Sequence, residues 1–414
     1  MNFKELGYFA KVQGGYAYKS KDFIGTGIPI IKIKNVGKGN LLFNETSYVD
    51  KSFLDETKNY TINVGDVLIS MTGSNINQPA SMVGRVARVS KDDPIALINQ
   101  RVGRLILKNE NIIDLRFLYY YLSQYEVQYY LVLNATGSAN QVNINGKLIE
   151  SIKIPDFTFE KTVKIVNILS TLDDKIELNR KMNQTLEDMA QALFKSWFVD
   201  FDFPNNNGEM EDSELGMIPK GWRVERFGNT IEKYIDNRGK TPPTVEDGIP
   251  LLEVRNMPDD MLTANPNVVK FVTEDTYKSW FRSYLKENDI LISTVGTIGK
   301  TCIIPKDSKI AIAQNVLGLR FKNDMLKSQF MFYQMKYKRF LHAIDARLVI
   351  TVQASIKRKD LDTIDVIIPP IKIQEFFVKQ IQPIIEKQQS SENTSLEKTR
   401  DTLLPKLLSG EIEV

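Results

Sequence analysis

The second half of this 414-residue chain repeats the first, and that duplication limits the possible fold more than any other feature. At a shift of 221 residues Leu6-Gly7 falls on Phe227-Gly228, and Gly27-Ile28-Pro29-Ile30-Ile31-Lys32-Ile33-Lys34-Asn35 falls on Gly248-Ile249-Pro250-Leu251-Leu252-Glu253-Val254-Arg255-Asn256. Small changes of shift bring Gly65 to Ser70 onto Asn288 to Ser293, Gly73 onto Gly296, and Pro94 to Gly103 onto Lys309 to Gly318. Gln141 to Ile144 then meets Gln353 to Ile356, and Ile154-Pro155 meets Ile368-Pro369. A period of about 210 residues is too long for a solenoid, so the unit repeated is a whole domain.

Two cores suit a chain of this length. Hydrophobic residues at 42% and charged residues at 25% give the balance of a globular protein. A single cysteine, Cys302, excludes an intrachain disulfide and fits a reducing compartment. The start Met1-Asn2-Phe3-Lys4-Glu5 lacks a signal-peptide pattern, no apolar run approaches a membrane span, and the expected location is the cytoplasm. The net charge of +3 neither demands nor forbids nucleic acid, so any basic surface must be local.

Each copy opens with short β-branched runs bounded by Gly, Pro, Asn and Asp, such as Ile28 to Val36, Val67 to Ser70 and Ile290 to Ser293, which read as strands. A tyrosine-rich helical patch at Leu115 to Val132 has a counterpart at Gln329 to Ala343, making the globular part α+β. From Lys161 to Phe198 the pattern becomes a helix with one apolar stripe: Ile165, Ile168, Leu169, Leu172, Ile176, Met182, Leu186, Met189 and Leu193. Ile165, Leu172, Leu186 and Leu193 recur at sevens with Asn179 in the same series, a place where a polar residue sets register between paired helices. Its partner is expected to be Glu375 to Leu408, weakened by Pro383 and the polar run Gln388 to Thr394. A connected return path makes the two antiparallel, with a globular domain at each end of a rod about 57 Å long. The expected layout is a globular domain over 1–157, a long helix over 158–201, an exposed linker over 202–222, a second domain over 223–371 and a second helix over 372–414.

Catalytic signatures fail on their spacing. Gly299-Lys300-Thr301 resembles the end of a phosphate loop, but Thr294 stands where that loop needs glycine, and Cys302-Ile303-Ile304-Pro305 is strand chemistry. Pro155-Asp156 with Asp173-Asp174-Lys175 resembles a nuclease signature, yet the last three lie inside the long helix and have no counterpart in copy two. Lone His342 and Cys302 cannot form a nucleophilic pair or a zinc site and read as structural.

What remains are polar loops at equivalent places in both copies, holding residue types that read base edges or hold phosphates. In copy one they are Lys32, Lys34 and Asn35; Thr72, Ser74, Asn75, Asn77 and Gln78; Arg85; Asn99, Gln100 and Arg101; and Thr136, Ser138, Asn140 and Gln141. In copy two they are Arg238 and Lys240; Arg255 and Asn256; Thr294, Thr297 and Lys300; Gln314 and Asn315; and Arg347, Thr351 and Gln353. Gly84-Arg85 and Gly299-Lys300 each set a cation beside a glycine that would permit close backbone approach. The tyrosines Tyr119 to Tyr121 and Tyr129-Tyr130 read as helix packing rather than base stacking.

Ser213-Glu214-Leu215-Gly216-Met217-Ile218-Pro219-Lys220-Gly221-Trp222 resembles the opening of the second target recognition domain in specificity subunits of type I restriction-modification systems. The resemblance extends over essentially the whole chain, through Ile290 to Ser293 with Gly296 and Gly299, Ala311 to Gly318, and Ile367-Ile368-Pro369-Pro370 with Gln374-Glu375. Copy one departs in lacking the tryptophan lead-in and in its loop at Ser74 to Met82. The resemblance implies two target recognition domains in tandem, separated by two long helices forming an antiparallel coiled coil, that read a bipartite, asymmetric site on double-stranded DNA. It also implies docking of two adenine methyltransferase (modification) subunits and of motor-nuclease (restriction) subunits. S-adenosylmethionine, ATP and magnesium would belong to those partners, with none in this chain. The alternative is a duplicated coiled-coil scaffold that binds protein partners.

Overall fold

The computed structural model describes residues 2–76, 78, 82–138, 141–237, 239–257, 262–264, 268–349, 353–389 and 392–414. Among them seven helices reach eight residues: α1 (Leu115–Leu122), α2 (Tyr125–Leu133), α3 (Phe159–Phe198), α4 (Ser328–Lys336), α5 (Lys338–Asp345), α6 (Ile371–Gln388) and α7 (Glu392–Ser409). The chain forms two compact units, one of residues 1–176 with 394–414 and one of residues 177–393.

The duplication extends to strand order. In copy one a four-stranded antiparallel sheet runs Ala10–Gly14, Val102–Leu107, Val67–Ser70, Val86–Arg88; in copy two the order is Ile231–Ile235, Val316–Phe321, Ile290–Ser293, Thr301–Ile303. A second sheet in each copy joins the Ile-Pro strand, Ile28–Ile31 or Ile249–Leu252, in parallel to Leu97–Ile98 or Ala311–Ile312. The opening strand of each copy pairs with the strand before its long helix: Phe3–Glu5 with Lys153–Pro155, and Arg223–Arg226 with Asp365–Ile368. A largely buried ion pair braces each main sheet, Arg104 to Asp66 at 3.2 Å and Arg320 to Asp289 at 2.7 Å.

The tyrosine-rich patch is two helices rather than one. Asp114 caps α1 by accepting from the Arg116 N–H at 2.8 Å, and the extended backbone of Gln124 separates α1 from α2. Tyr337 makes the same break between α4 and α5. The break lets each short helix turn its own apolar face inward, Phe117, Leu118, Tyr120 and Leu122 from α1 and Leu131 and Val132 from α2.

In the first unit Ile165, Val166 and Leu169 of α3 and Leu407 and Leu408 of α7 enter the domain's own core. Asp173 of α3 accepts hydrogen bonds from the Tyr120 hydroxyl at 2.7 Å and from Arg400 of α7 at 2.9 Å. In the second unit Phe194, Trp197 and Phe198 of α3 pack with Phe377 and Ile381 of α6 and with Phe330 and Tyr333 of α4. The helices run antiparallel within each unit: low numbers on α3 meet high numbers on α7, and Trp197 meets Phe376 while Asn183 accepts from Gln388.

The stripe on α3 differs from its expected form at several positions. Ile168 is 38% and Met189 57% exposed and Glu187 is buried, while Asn179 is buried at its expected place in the heptad series. Both polar residues are paired: Asn179 donates to Asn393 at 2.9 Å, and Glu187 accepts from Lys336 at 2.9 Å and from the Tyr333 hydroxyl at 3.3 Å. The second helix is two helices, α6 continuing through Pro383 and ending in the polar run at Gln388. Proline deletes one backbone donor there, and the burial of Phe377, Ile381 and Ile385 on both sides of it holds the helix together. The segment 202–222 is likewise more than an exposed linker. Met210–Glu211 pairs with Ile218–Pro219, and the buried Trp222 packs against Phe201 and Phe203 with ring centroids 5.5 and 5.2 Å away.

Cys302 lies fully buried in the strand Thr301–Ile303, and burial pushes its thiol up to about 12. A folded sample at pH 8 is therefore expected to resist thiol alkylation, and one equivalent should react after denaturation. Rapid labelling of the native chain would show that this strand opens.

Candidate functional site

In copy one, loops far apart in sequence line a groove of about 340 Å³: Lys32, Thr72, Asn99, Arg101, Gln141 and Asn143. Each is placed by ordinary backbone geometry. Lys32 precedes a 3-10 turn whose Asn35 side chain accepts the Lys32 N–H at 3.0 Å. Asn99 and Arg101 occupy the turn between Leu97–Ile98 and Val102–Leu107, closed by Val102 N–H to the Asn99 carbonyl at 2.9 Å. Thr72 pairs in register with Asn143 and donates its hydroxyl to that side chain at 2.6 Å. Gln141 sits on a hairpin that needs Gly137, where a Cβ would come within 2.5 Å of the Gln141 carbonyl.

Lys32 donates to Ser47 at 2.9 Å with its ammonium 3.8 Å from the Phe23 ring centre. Burial, then the nearby Lys34, hold its pKa below the usual lysine value. Arg101 is exposed and forms no ion pair among the described residues. The groove thus offers two cations beside hydroxyl and amide groups that can both donate and accept.

Copy two has two adjoining grooves of about 680 and 470 Å³ that share Gln314. The larger is lined by Lys240, Thr294, Arg282, Asn237 and Arg358, and the smaller by Arg255, Asn315 and Lys270. Arg255 pairs with Glu253, which Lys270 also bridges at 2.7 Å. Burial pushes the Glu253 carboxyl up, but these two cations outweigh it and hold it below the usual range.

Several expected contact residues serve the framework instead. Asn35 and Asn256 are 1% and 5% exposed, and each closes its 3-10 turn by accepting a backbone N–H, so neither amide faces a groove. Half-buried Arg85 donates to the Ile33 carbonyl at 2.8 Å, bracing the turn that carries Lys32. Arg347 is tied to Thr363 at 3.0 Å and to the Ala343 carbonyl at 2.9 Å. Lys34 points outward to Glu45 at 3.3 Å, and buried Ser74 donates to the Gln78 carbonyl at 2.7 Å. The glycines beside the two cations admit helices: a Cβ on Gly84 would lie 3.1 Å from Leu131 of α2, and one on Gly299 would lie 3.3 Å from Leu341 of α5.

Gln100, Thr136, Thr297 and Gln353 are exposed, and Asn75, Gln78 and Lys300 stand on loops beside the groove strands without lining the grooves. The backbone of Ser138 pairs with Gln141, and Asn77, Asn140, Arg238 and Thr351 lie outside the described residues. Asn143, Asn237, Arg282 and Arg358 were absent from the expected set. Asn143 could have been found, since it lies inside the repeated block Gln141 to Ile144; the two arginines lie in stretches where the copies diverge.

The decoy motifs have structural duties. Lys300-Thr301 leads into a strand, Asp156 pairs with Lys4 at 3.1 Å, and Asp173 holds Tyr120 and Arg400. His342 is exposed on α5. Among the described residues no three His, Cys, Asp or Glu side chains gather as a metal site would require, and no helix is long and apolar enough to cross a membrane.

A family model described as type I restriction modification DNA specificity domain matches residues 1–188 and again 221–398. The MjaIX type I restriction enzyme specificity subunit of Methanocaldococcus jannaschii is 26% identical over 421 residues, covering 99% of this chain and 93% of that protein. The EcoBI specificity subunit of Escherichia coli is 23% identical over 425 residues, covering 97% and 84%. Among solved structures, the S subunit of a type I restriction-modification system from M. genitalium shares the fold with a TM-score of 0.55 at 18% identity, covering 98% of this chain and 96% of that one.

Proposed function

Because the chain belongs to the type I restriction-modification DNA specificity family, two domains of which span it, we propose that each domain reads one half of a bipartite, asymmetric site on double-stranded DNA. The observation that carries this reading is the convergence of separate polar loops on a cation-bearing groove in both copies, on one topology but with different side chains. A shared framework with divergent groove residues suits two readers of unlike sequences. Arginine, lysine, asparagine and glutamine supply the forks and amides that distinguish bases, and the hydroxyls suit phosphates.

The paired helices fix the gap between the half-sites and dock two adenine methyltransferase subunits, to which motor-nuclease subunits attach. In this reading the chain supplies the address, and the cytoplasmic partners hold S-adenosylmethionine, ATP and magnesium. The methyl transfer would act on an adenine flipped out of the duplex by the partner.

Exchanging residues 1–150 for those of a related chain is expected to rewrite one half-site and leave the other intact, as read by sequencing methylated adenines across the genome of a host carrying the system. If both halves changed, the domains would not be independent readers. A protein-only scaffold would show no steep salt dependence in a mobility shift with duplex DNA, whereas phosphate contacts produce one.

A further inference from the structure

The larger groove of copy two holds a side chain prepared in a way that its neighbours are not. The Arg358 guanidinium lies 3.6 Å from the centre of the Tyr234 ring. The Tyr234 hydroxyl donates to Asp362, whose other oxygen is 3.9 Å from Arg358 Nε. Burial and the Asp362 carboxylate raise the tyrosine's pKa, so its hydroxyl stays a donor and the three groups stay joined. Arg358 is itself exposed and lines the groove with Lys240, Arg282, Thr294 and Gln314.

The duplication singles this position out. With Gln141 to Ile144 laid on Gln353 to Ile356, Gly146 stands where copy two has Arg358. It lies against Val12, which pairs with Leu105 as Tyr234 pairs with Leu319. Glu150, at the place of Asp362, accepts the Val12 N–H at 2.8 Å. Asp66 and Asp289, at matching places, keep their chemistry in both copies, each pairing with an arginine of the neighbouring strand. Here a glycine over valine is opposed to an arginine stacked on tyrosine.

We propose that Arg358 is a specificity-determining residue that reads a guanine in the half-site of the second domain, on the ring of Tyr234 that holds its guanidinium flat. Stacking covers one face of the guanidinium and leaves its N–H edge for a bidentate bond to O6 and N7 of guanine. Holding the fork in place beforehand lowers the ordering cost of that contact. Among the described residues Lys240 and Arg282 have no such ring beneath them and suit phosphates, whose contacts carry no sequence information.

The inference rests on the reading that residues 223–371 own one half-site. The full chain with Arg358→Lys or Arg358→Gln is expressed with its methyltransferase partners, and methylated sites are sequenced. Discrimination at one G·C pair of the second half-site should fall by roughly 10- to 100-fold, with the first half-site unchanged. Tyr234→Phe, which keeps the ring, should loosen the same pair less. Uniform loss of methylation without degeneracy, or a second half-site containing no G·C pair, would overturn the proposal. If exchanging residues 223–371 altered neither half-site, the underlying reading would fail; if it rewrote the second while Arg358 variants changed nothing there, only this inference would fall.

Discussion

Replacing Glu187 by alanine is expected to destabilise the second unit by about 3 to 5 kcal/mol. Its side chain is 1% exposed and accepts from Lys336 at 2.9 Å, the Tyr333 hydroxyl at 3.3 Å and Gln388 at 3.5 Å. With Gln191, which donates to the same carboxylate at 2.9 Å, truncation leaves four polar groups behind, one a mostly buried ammonium, without the acceptor they share. The pair's own net worth is far smaller than this figure, because ionised groups removed from water regain little beyond their desolvation cost. Asp173 is the useful contrast. At 29% exposure it is screened by water, and Asp173→Ala should cost nearer 1 kcal/mol. Urea unfolding of both variants measures the difference, and equal small losses would mean that Glu187 is solvated in solution.

Removing about one turn, four residues, from α3 and four from its antiparallel partner is expected to change the spacer of the recognised site and neither half-site. Four helical residues span about 6 Å, and one base pair rises about 3.4 Å, so a shortening of one or two base pairs should follow. Methylated-site sequencing reads the spacer directly. A spacer that kept its length while the variant stayed folded would remove the helices from the measurement of distance. The deletion must spare Asn179, whose side-chain bond to Asn393 lies at a buried rung of the second unit. Losing that bond would test register rather than length.

The repeat made the domain order and much of the framework legible, because a duplicated fold conserves what holds it together. Asp66 and Asp289 fall on one another in the alignment, and both turn out to anchor a sheet arginine. The helical period gave α3 its span to within a few residues. The path of the partner was harder to foresee. Of the two weak points expected, the polar run Gln388 to Thr394 does hold the break, whereas Pro383 does not interrupt the helix. Local propensity contains no record of the aromatic packing that carries α6 through proline.

At the grooves, residue type misled wherever a side chain could serve either base or backbone. Asn35 and Asn256 look like adenine readers on paper, yet their position three residues into a turn lets them satisfy the backbone first. Arg358 was hidden for a different reason: its value depends on a tyrosine 124 positions earlier, which only the sheet brings beside it.

Tyr120 and Tyr333 occupy the same place on α1 and α4, and each offers its hydroxyl to a carboxylate on α3, Asp173 in one unit and Glu187 in the other. The two acceptors are not equivalent places, however: Asp173 lies on the helix that follows its domain, and Glu187 on the helix that precedes its own. Each domain therefore keeps a separate fastening on α3, and a substitution can loosen either one while the other stays closed.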